Sequence, residues 1–235
     1  MATHLRDHAE VWAHDRAAIG DFDGVVPVDL DRAAQADVIV LAVPVQSFDG
    51  VLEGLRPHLE ERARAGRGLP LVVDVASVKV RAVERMVRGL PDAASIIATH
   101  PLFGPESGRD GIAGLPIAYC PVRASEERVA SLRGFLAETL RLRVIETTPD
   151  EHDRQMAYVQ GLTHLISRAV GEMELPQTPM ATAAYRRFLD MRANLAKDSW
   201  DLFVTIEREN PYAAAVRREL RATLESLEAR LDAAG

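Results

Sequence analysis

Cysteine is almost missing from this 235-residue chain. Cys120 stands alone, which excludes an internal disulfide and fits a reducing compartment. Also missing is any run approaching the roughly 18 apolar residues of a membrane span. No cationic start followed by an apolar stretch suggests a secretory signal. The expectation is a cytoplasmic protein that does not engage membrane. Lys and Arg form no run along one face, and the formal net charge is −7. Nucleic acid and anionic lipid are therefore excluded as partners, whereas a small anionic ligand in a locally basic pocket stays open. Metal-ligand spacing is lacking too. His152 and His164 are twelve residues apart, which separates them by roughly 120° around a straight helix. Neither repeats nor low-complexity linkers divide the chain.

What is present has two textures. From Ala9 to about Thr147, short apolar runs alternate with helical patterns. Strands are expected at Glu10–Ala13, Val38–Val43, Leu71–Val75, Ser95–Ala98, Pro116–Cys120 and Arg143–Glu146. Helices are expected at Gln46–Glu60, Val80–Arg88 and Glu126–Thr139, the last with Ser125 as N-cap. Continuous apolar strands separated by helices predict an α/β unit over 1–148 whose mostly parallel sheet is buried on both faces. From Pro149 onward the chain reads as helix: Glu151 to about Glu172, Ala181 to about Arg208, and Tyr212–Leu231. This predicts an all-helical domain over 149–235. Leu220, Leu224, Leu227 and Leu231 form an apolar face seeking a partner, which predicts a homodimer through these helices.

Ligands of such sheets bind beyond the carboxyl ends of the strands. Three segments belong there: Pro44–Ser47, Asp74–Lys79 and His100–Gly108. His100 follows a buried strand and precedes a Pro- and Gly-punctuated loop, so its imidazole is a candidate proton carrier or a strand-end histidine bonded to a carbonyl. Ser77 is placed to orient a hydroxyl. Asp74 is the expected cap of the following helix. Glu106 either lines the same crevice or caps a turn. His164 is a candidate ligand-pocket residue or a satisfied interhelical histidine. Tyr185, Arg186, Arg187 and Arg192 form a basic cluster that suits a carboxylate or, equally, a solvated helix face.

One further absence is informative. No G-x-G-x-x-G occurs anywhere, although a dinucleotide unit needs such a turn between its first strand and first helix. Met1–His8 reads as the end of that helix and Glu10–Ala13 as the second strand. The chain thus reads as starting about 25 residues into such a unit.

Asp74-Val75-Ala76-Ser77-Val78-Lys79, His100-Pro101-Leu102-Phe103-Gly104-Pro105-Glu106-Ser107-Gly108, His152-Asp153 and Val159-Gln160-Gly161-Leu162-Thr163-His164 together resemble the prephenate/arogenate dehydrogenase family in order and spacing. The resemblance implies a Rossmann-like domain, here without its first strand and glycine loop, followed by a helical dimerisation domain. It implies oxidative decarboxylation of a prephenate-like cyclohexadiene acid with NAD or NADP. It assigns His100 to the proton of the ring hydroxyl and Ser77 to its orientation. Glu106 and His164 lie in or near the substrate pocket, and Arg192 or Arg186 is a candidate substitute for the family's carboxylate-binding arginine. Asp15, Val43, Pro44 and Ser77 are where the cofactor would rest. The family's carboxylate-gripping arginine aligns with Asn194, which suggests a substrate that differs from prephenate or sits differently. Two other readings stay open: a cofactor-independent dehydratase, decarboxylase or isomerase on a similar acid, and a noncatalytic binding module.

Overall fold

The β-branched apolar runs form strands, with ends shifted by a few residues from the pattern. The computed structural model describes residues 2–17, 20, 23–104, 106–195 and 198–234, the side chains at 194 and 195 excepted. The chain divides into two units, Met1–Ala76 with Ala82–Pro149, and Ser77–Arg81 with Asp150–Gly235.

The first unit runs α1 (Ala2–Leu5), β1 (Val11–Ala13), β2 (Val25–Pro27), α2 (Leu30–Ala33), β3 (Val38–Leu41), a 3-10 turn at Val45–Ser47, α3 (Phe48–Arg64) and β4 (Leu71–Asp74). It continues through α4 (Val80–Gly89), whose first two residues group with the other unit, β5 (Ser95–Pro101), β6 (Pro116–Arg123), α5 (Glu126–Gly134), a π-helical turn at Phe135–Thr139 and β7 (Arg143–Glu146). Strand β2 was not expected: three residues ending in proline are too short to read as a strand. The strands form two sheets. One holds β1 and β2 in parallel, the other has the order β3-β4-β5-β6-β7. All neighbours in the larger sheet are parallel except β5 and β6. Parallel neighbours need a crossover, usually a helix. No helix is described between Pro101 and Pro116, so the chain turns back and β6 runs antiparallel.

Alternate residues of the central strands bury on opposite faces. Leu71, Val73, Ile97, Ile117 and Tyr119 pack with Leu136 and Leu142 in one cluster. Val72, Ile96 and Ala98 are buried between them in sequence, so both faces are covered. In α3, Phe48, Leu52, Leu55 and Leu59 are buried at helical spacing. The outer strand β3 differs. Val38 and Val40 are 47% and 37% exposed, and β4 is its only partner among the described residues.

The second unit contains α6 (Pro149–Met156), a π-helical segment at Ala157–Leu162, α7 (Thr163–Gly171), α8 (Ala183–Leu195), α9 (Trp200–Glu209) and α10 (Ala213–Asp232). The single helix expected over Glu151–Glu172 is thus a continuous rod with π geometry at its centre. The helix expected over Ala181–Arg208 is two helices, the second capped by Ser199, whose hydroxyl accepts the Leu202 N–H at 3.1 Å. The Asn210-Pro211 break is built as a joint. Asn210 Nδ2 donates to the Asp153 carbonyl at 2.8 Å, and its Oδ1 accepts the Tyr212 N–H at 2.9 Å. None of the described helices is long and apolar enough to cross a membrane.

Candidate functional site

In the α/β unit, polar residues gather where β4 and β5 end. Asp74 is fully buried; Oδ2 accepts the Ala76 N–H at 3.0 Å and Oδ1 the Thr99 N–H at 3.3 Å. The Thr99 hydroxyl donates back to the Asp74 carbonyl at 2.5 Å. This exchange clamps the two strand ends together. His100 is the next residue, 5% exposed and paired in register with Ala118 of β6. Its imidazole therefore leaves the sheet from a rigid, nearly dry position, which suits a proton-transfer group. Glu106 is largely exposed and faces Arg109 at 3.7 Å. Asp15 lies just beyond β1, exposed, with Oδ1 accepting the Ala17 N–H at 2.8 Å. Val43 is half-buried and Pro44 exposed, just beyond the end of β3.

The helical unit holds a second polar centre. Asp153 is fully buried. Its Oδ1 accepts the Lys79 N–H at 2.8 Å and its Oδ2 the Val80 N–H at 2.9 Å, while His152 Nδ1 lies 2.8 Å from Oδ1. The start of α4 is thus capped by an aspartate more than seventy residues away, and Asp74, the expected cap, serves the β4–β5 clamp instead. Ser77 is half-buried in the segment leading into this cap. Lys79 is fully buried in the same segment.

His164 is 6% exposed on α7, with Nε2 at 3.7 Å from Asp198 Oδ2. Burial pulls its pKa below 6.5; Asp198 opposes the shift and Arg168 adds to it. Arg168, one turn along α7, donates from Nη2 to the Asp198 carbonyl and lies over the Trp200 and Phe203 rings. Arg168, Asp198 and Gln160 were not singled out from the sequence. The available signal was the spacing of four from Gln160 to His164 to Arg168.

The expected basic cluster does not converge. Arg186 donates to the Ala181 carbonyl at 2.7 Å, Arg192 to the Gly171 carbonyl at 3.4 Å and the Tyr185 hydroxyl to the Pro176 carbonyl at 2.9 Å. Each side chain thus finds its own backbone acceptor, the neutralisation of helix and loop ends being a common use of arginine. The Asn194 side chain lies outside the described residues.

A dinucleotide would need backbone N–H groups at a helix start following a strand and a glycine-rich turn. The described residues do not fit its pyrophosphate: α1 is a four-residue helix preceding β1, and β3 leads through Pro44 into α3 with no glycine at the turn. No cluster of His, Cys, Asp and Glu suited to a metal occurs among the described residues.

Residues 2–141 match the family model for the prephenate dehydrogenase nucleotide-binding domain. The chain belongs to the prephenate/arogenate dehydrogenase family. Residues 169–234 match a second model, the TYRAAT1-like C-terminal domain. Among curated members, arogenate dehydrogenase 1 of Arabidopsis thaliana is 33% identical over 199 residues, covering 83% of this chain and 30% of the relative. Arogenate dehydrogenase 2 of the same plant is 31% identical over 201 residues, covering 83% of this chain and 54% of the relative. The chain therefore spans only a third to about half of these family members. In structure it is similar to prephenate dehydrogenase from A. aeolicus, solved in complex with hydroxyphenyl propionate and NAD+: TM-score 0.71, 18% identity, 98% of this chain and 86% of that one. The likeness identifies a Rossmann-like sheet with a helical C-terminal region as the family fold. The matched domain makes NAD(P) use a property of the family.

Proposed function

We propose that this chain acts on an arogenate- or prephenate-type cyclohexadiene acid, in an oxidative decarboxylation in which His100 accepts the proton of the ring hydroxyl. The observation that carries the reading is His100 itself: 5% exposed, held at the end of β5 next to the clamped Asp74–Thr99 pair, within the matched family motif. Loss of carbon dioxide from the ring carbon opposite the carbinol gives an aromatic product, and the hydroxyl proton needs an acceptor as that product forms. Neutral imidazole near pH 7 suits this work, and general-base catalysis of this kind contributes typically 10²–10⁴-fold. Nicotinamide dinucleotide is the hydride acceptor of the family; none of the residues described here is assigned to its pyrophosphate. Asn194 in place of a charged arginine, together with two relatives named arogenate dehydrogenases, supports an arogenate-type substrate over prephenate.

A second reading is favoured by the described residues of this chain, none of which fits a pyrophosphate. In a redox-neutral aromatisation His100 would give a proton to the ring hydroxyl, so that water and carbon dioxide leave together. Incubating the chain with arogenate and with prephenate, with and without NAD+ or NADP+, separates the two, because their products differ by one oxygen atom in mass. The expected result is a hydroxylated product that requires nicotinamide, with weak, poorly saturating cofactor dependence. His100→Ala should lower turnover by roughly 10²-fold or more; unchanged turnover in that variant would refute the assignment.

A further inference from the structure

One carboxyl group buried in the helical unit takes no part in the candidate site. Glu207 lies near the end of α9 and is 7% exposed. Its Oε2 accepts from Arg217 Nη1 of α10 at 2.5 Å, and the same nitrogen donates to the Glu207 carbonyl at 2.7 Å. Its Oε1 is buried and has no hydrogen-bond partner. That oxygen looks onto Gly161 of the π-helical segment. A Cβ at Gly161 would lie 3.7 Å from Oε1, 3.7 Å from the Met156 carbonyl oxygen and 3.9 Å from Ala213 Cβ. The bare face of the glycine is thus shared by Oε1, a second acceptor and a methyl group. A buried carboxylate oxygen without a donor is costly, and a proton on it turns an unpaired acceptor into a donor for such a carbonyl. The charge that α10 brings to the carboxyl is Arg217. The π-helical segment has one titratable side chain, Tyr158, whose phenol donates to Glu219 at 2.8 Å on the exposed side. Asp153 of α6 is bound to the Lys79 and Val80 N–H groups and to His152. Burial raises the Glu207 pKa above its usual 4.5, although the bond and the charge of Arg217 pull it down.

We propose that Glu207 is a pH-sensitive latch that holds the α9–α10 hairpin on the rod while its carboxyl is protonated. Oε1 then donates to the Met156 carbonyl and Oε2 keeps the Arg217 bond, so both oxygens are satisfied and three elements are joined. Loss of the proton leaves a charged oxygen in a dry contact beside another acceptor. The hairpin then loosens where Ala213 meets Gly161, at the base by which α10 is anchored. The sign follows from linkage. The folded chain binds this proton more tightly than the unfolded one. The latch is therefore fully closed below 4.5 and opens as pH rises through the higher, folded value. An ordinary buried ion pair behaves in the opposite way: it needs the charge on Glu207 and is lost as pH falls. Such a pair also has no use for a bare second oxygen, since a carboxylate facing arginine commonly accepts through both. The latch is independent of the proposed reaction, which makes no use of Glu207.

Glu207→Gln separates latch from ion pair. Glutamine copies the protonated form: its amide can donate to the Met156 carbonyl while its oxygen accepts from Arg217. Urea midpoints of the wild-type chain and of this variant, measured from pH 4.5 to about 8, give a difference in which the other titrating groups, buried His164 among them, cancel. The midpoints should be equal at the acid end, and the variant should become the more stable of the two as pH rises. The Glu207 carboxyl carbon resonance, assigned by its loss in the variant, should show the acid still protonated above pH 4.5. At about pH 8 the amides of 157–162 should exchange more slowly in the variant than in wild type. Arg217→Met removes the opposing charge and should shift the wild-type decline to higher pH while the acid-end fold persists. If that chain fails to fold, the glutamine variant and the resonance still decide. A lower midpoint for Glu207→Gln than for wild type at about pH 8, or a Glu207 carboxyl that titrates at or below 4.5, overturns the latch and leaves an ordinary ion pair.

Discussion

Tyr119 ties the packing of the sheet to pH. Its ring is fully buried in the core cluster and its phenol donates to the Val129 carbonyl at 2.7 Å. Burial, and secondarily the nearby Glu146 carboxylate, push its pKa from 10.0 up to about 12, with Arg133 opposing. A group whose pKa is raised on folding contributes stability that is fully present below its unfolded value and lost as pH rises through the folded one. Urea midpoints should therefore hold up to about pH 10 and decline towards pH 12. In Tyr119→Phe the decline should be shallower, and stability at neutral pH should fall by about 1 kcal/mol for the lost hydrogen bond. Asp153 carries a heavier load. Its carboxylate holds two backbone N–H groups at the start of α4 and faces the His152 ring. Asp153→Ala leaves these donors buried and unpaired, at a cost on the order of 3 kcal/mol by chemical denaturation. Asp153→Asn keeps one acceptor oxygen and should lose less.

At the level of elements, the contact of α3 with α4 depends on a missing side chain. A Cβ at Gly89 would sit 2.8 Å from Leu52 Cβ and 2.9 Å from its Cδ1. Leu52 is fully buried in α3, so its Cβ can move only with the helix backbone. Gly89→Ala should cost about 1–3 kcal/mol despite the better helix propensity of alanine, measured as a drop in thermal midpoint. The central strands were legible because β-branched runs such as Val38–Leu41 and Leu71–Asp74 are short, apolar and bounded by turns. The direction of β6 was not, because a strand buried on both faces reads the same either way. Nor were the π-helical turns, which change the hydrogen-bond ladder and not the apolar pattern. The place of His100 near the end of β5 was legible from the apolar run before it. The clamp of Asp74 on Thr99, and the cap supplied by Asp153, were hidden by sequence separation: local reasoning assigns an aspartate to the nearest helix start.

At the scale of the whole molecule, the last helix carries an exposed apolar stripe. Leu224, Leu227 and Leu231 of α10 are 56%, 45% and 75% exposed at helical spacing, while Ala213 and Val216 near its start are buried. Such a stripe on a helix with charged flanks suits association through a second copy of the same face. Sedimentation equilibrium at micromolar concentration should return twice the 25.8 kDa chain mass. The double variant Leu224→Glu and Leu227→Glu should return a monomer with little change in unfolding midpoint if the stripe is the interface. A wild-type monomer would discard this reading.

The outer edge of β3 has a different consequence, one of colloidal behaviour. Among the described residues no strand pairs with that margin, and the half-exposed Val38 and Val40 offer stickiness beside it. Lysines, prolines and bulges commonly guard such margins in natural sheets; the four residues Val38, Ile39, Val40 and Leu41 carry none of these. The strand is a template on which any extended, apolar segment can continue the parallel ladder, whether from a foreign peptide, a partly unfolded copy or another protein. Solutions of this chain should therefore cloud with rising concentration well before the fold itself melts, and a soluble peptide able to lie along β3 should keep them clear.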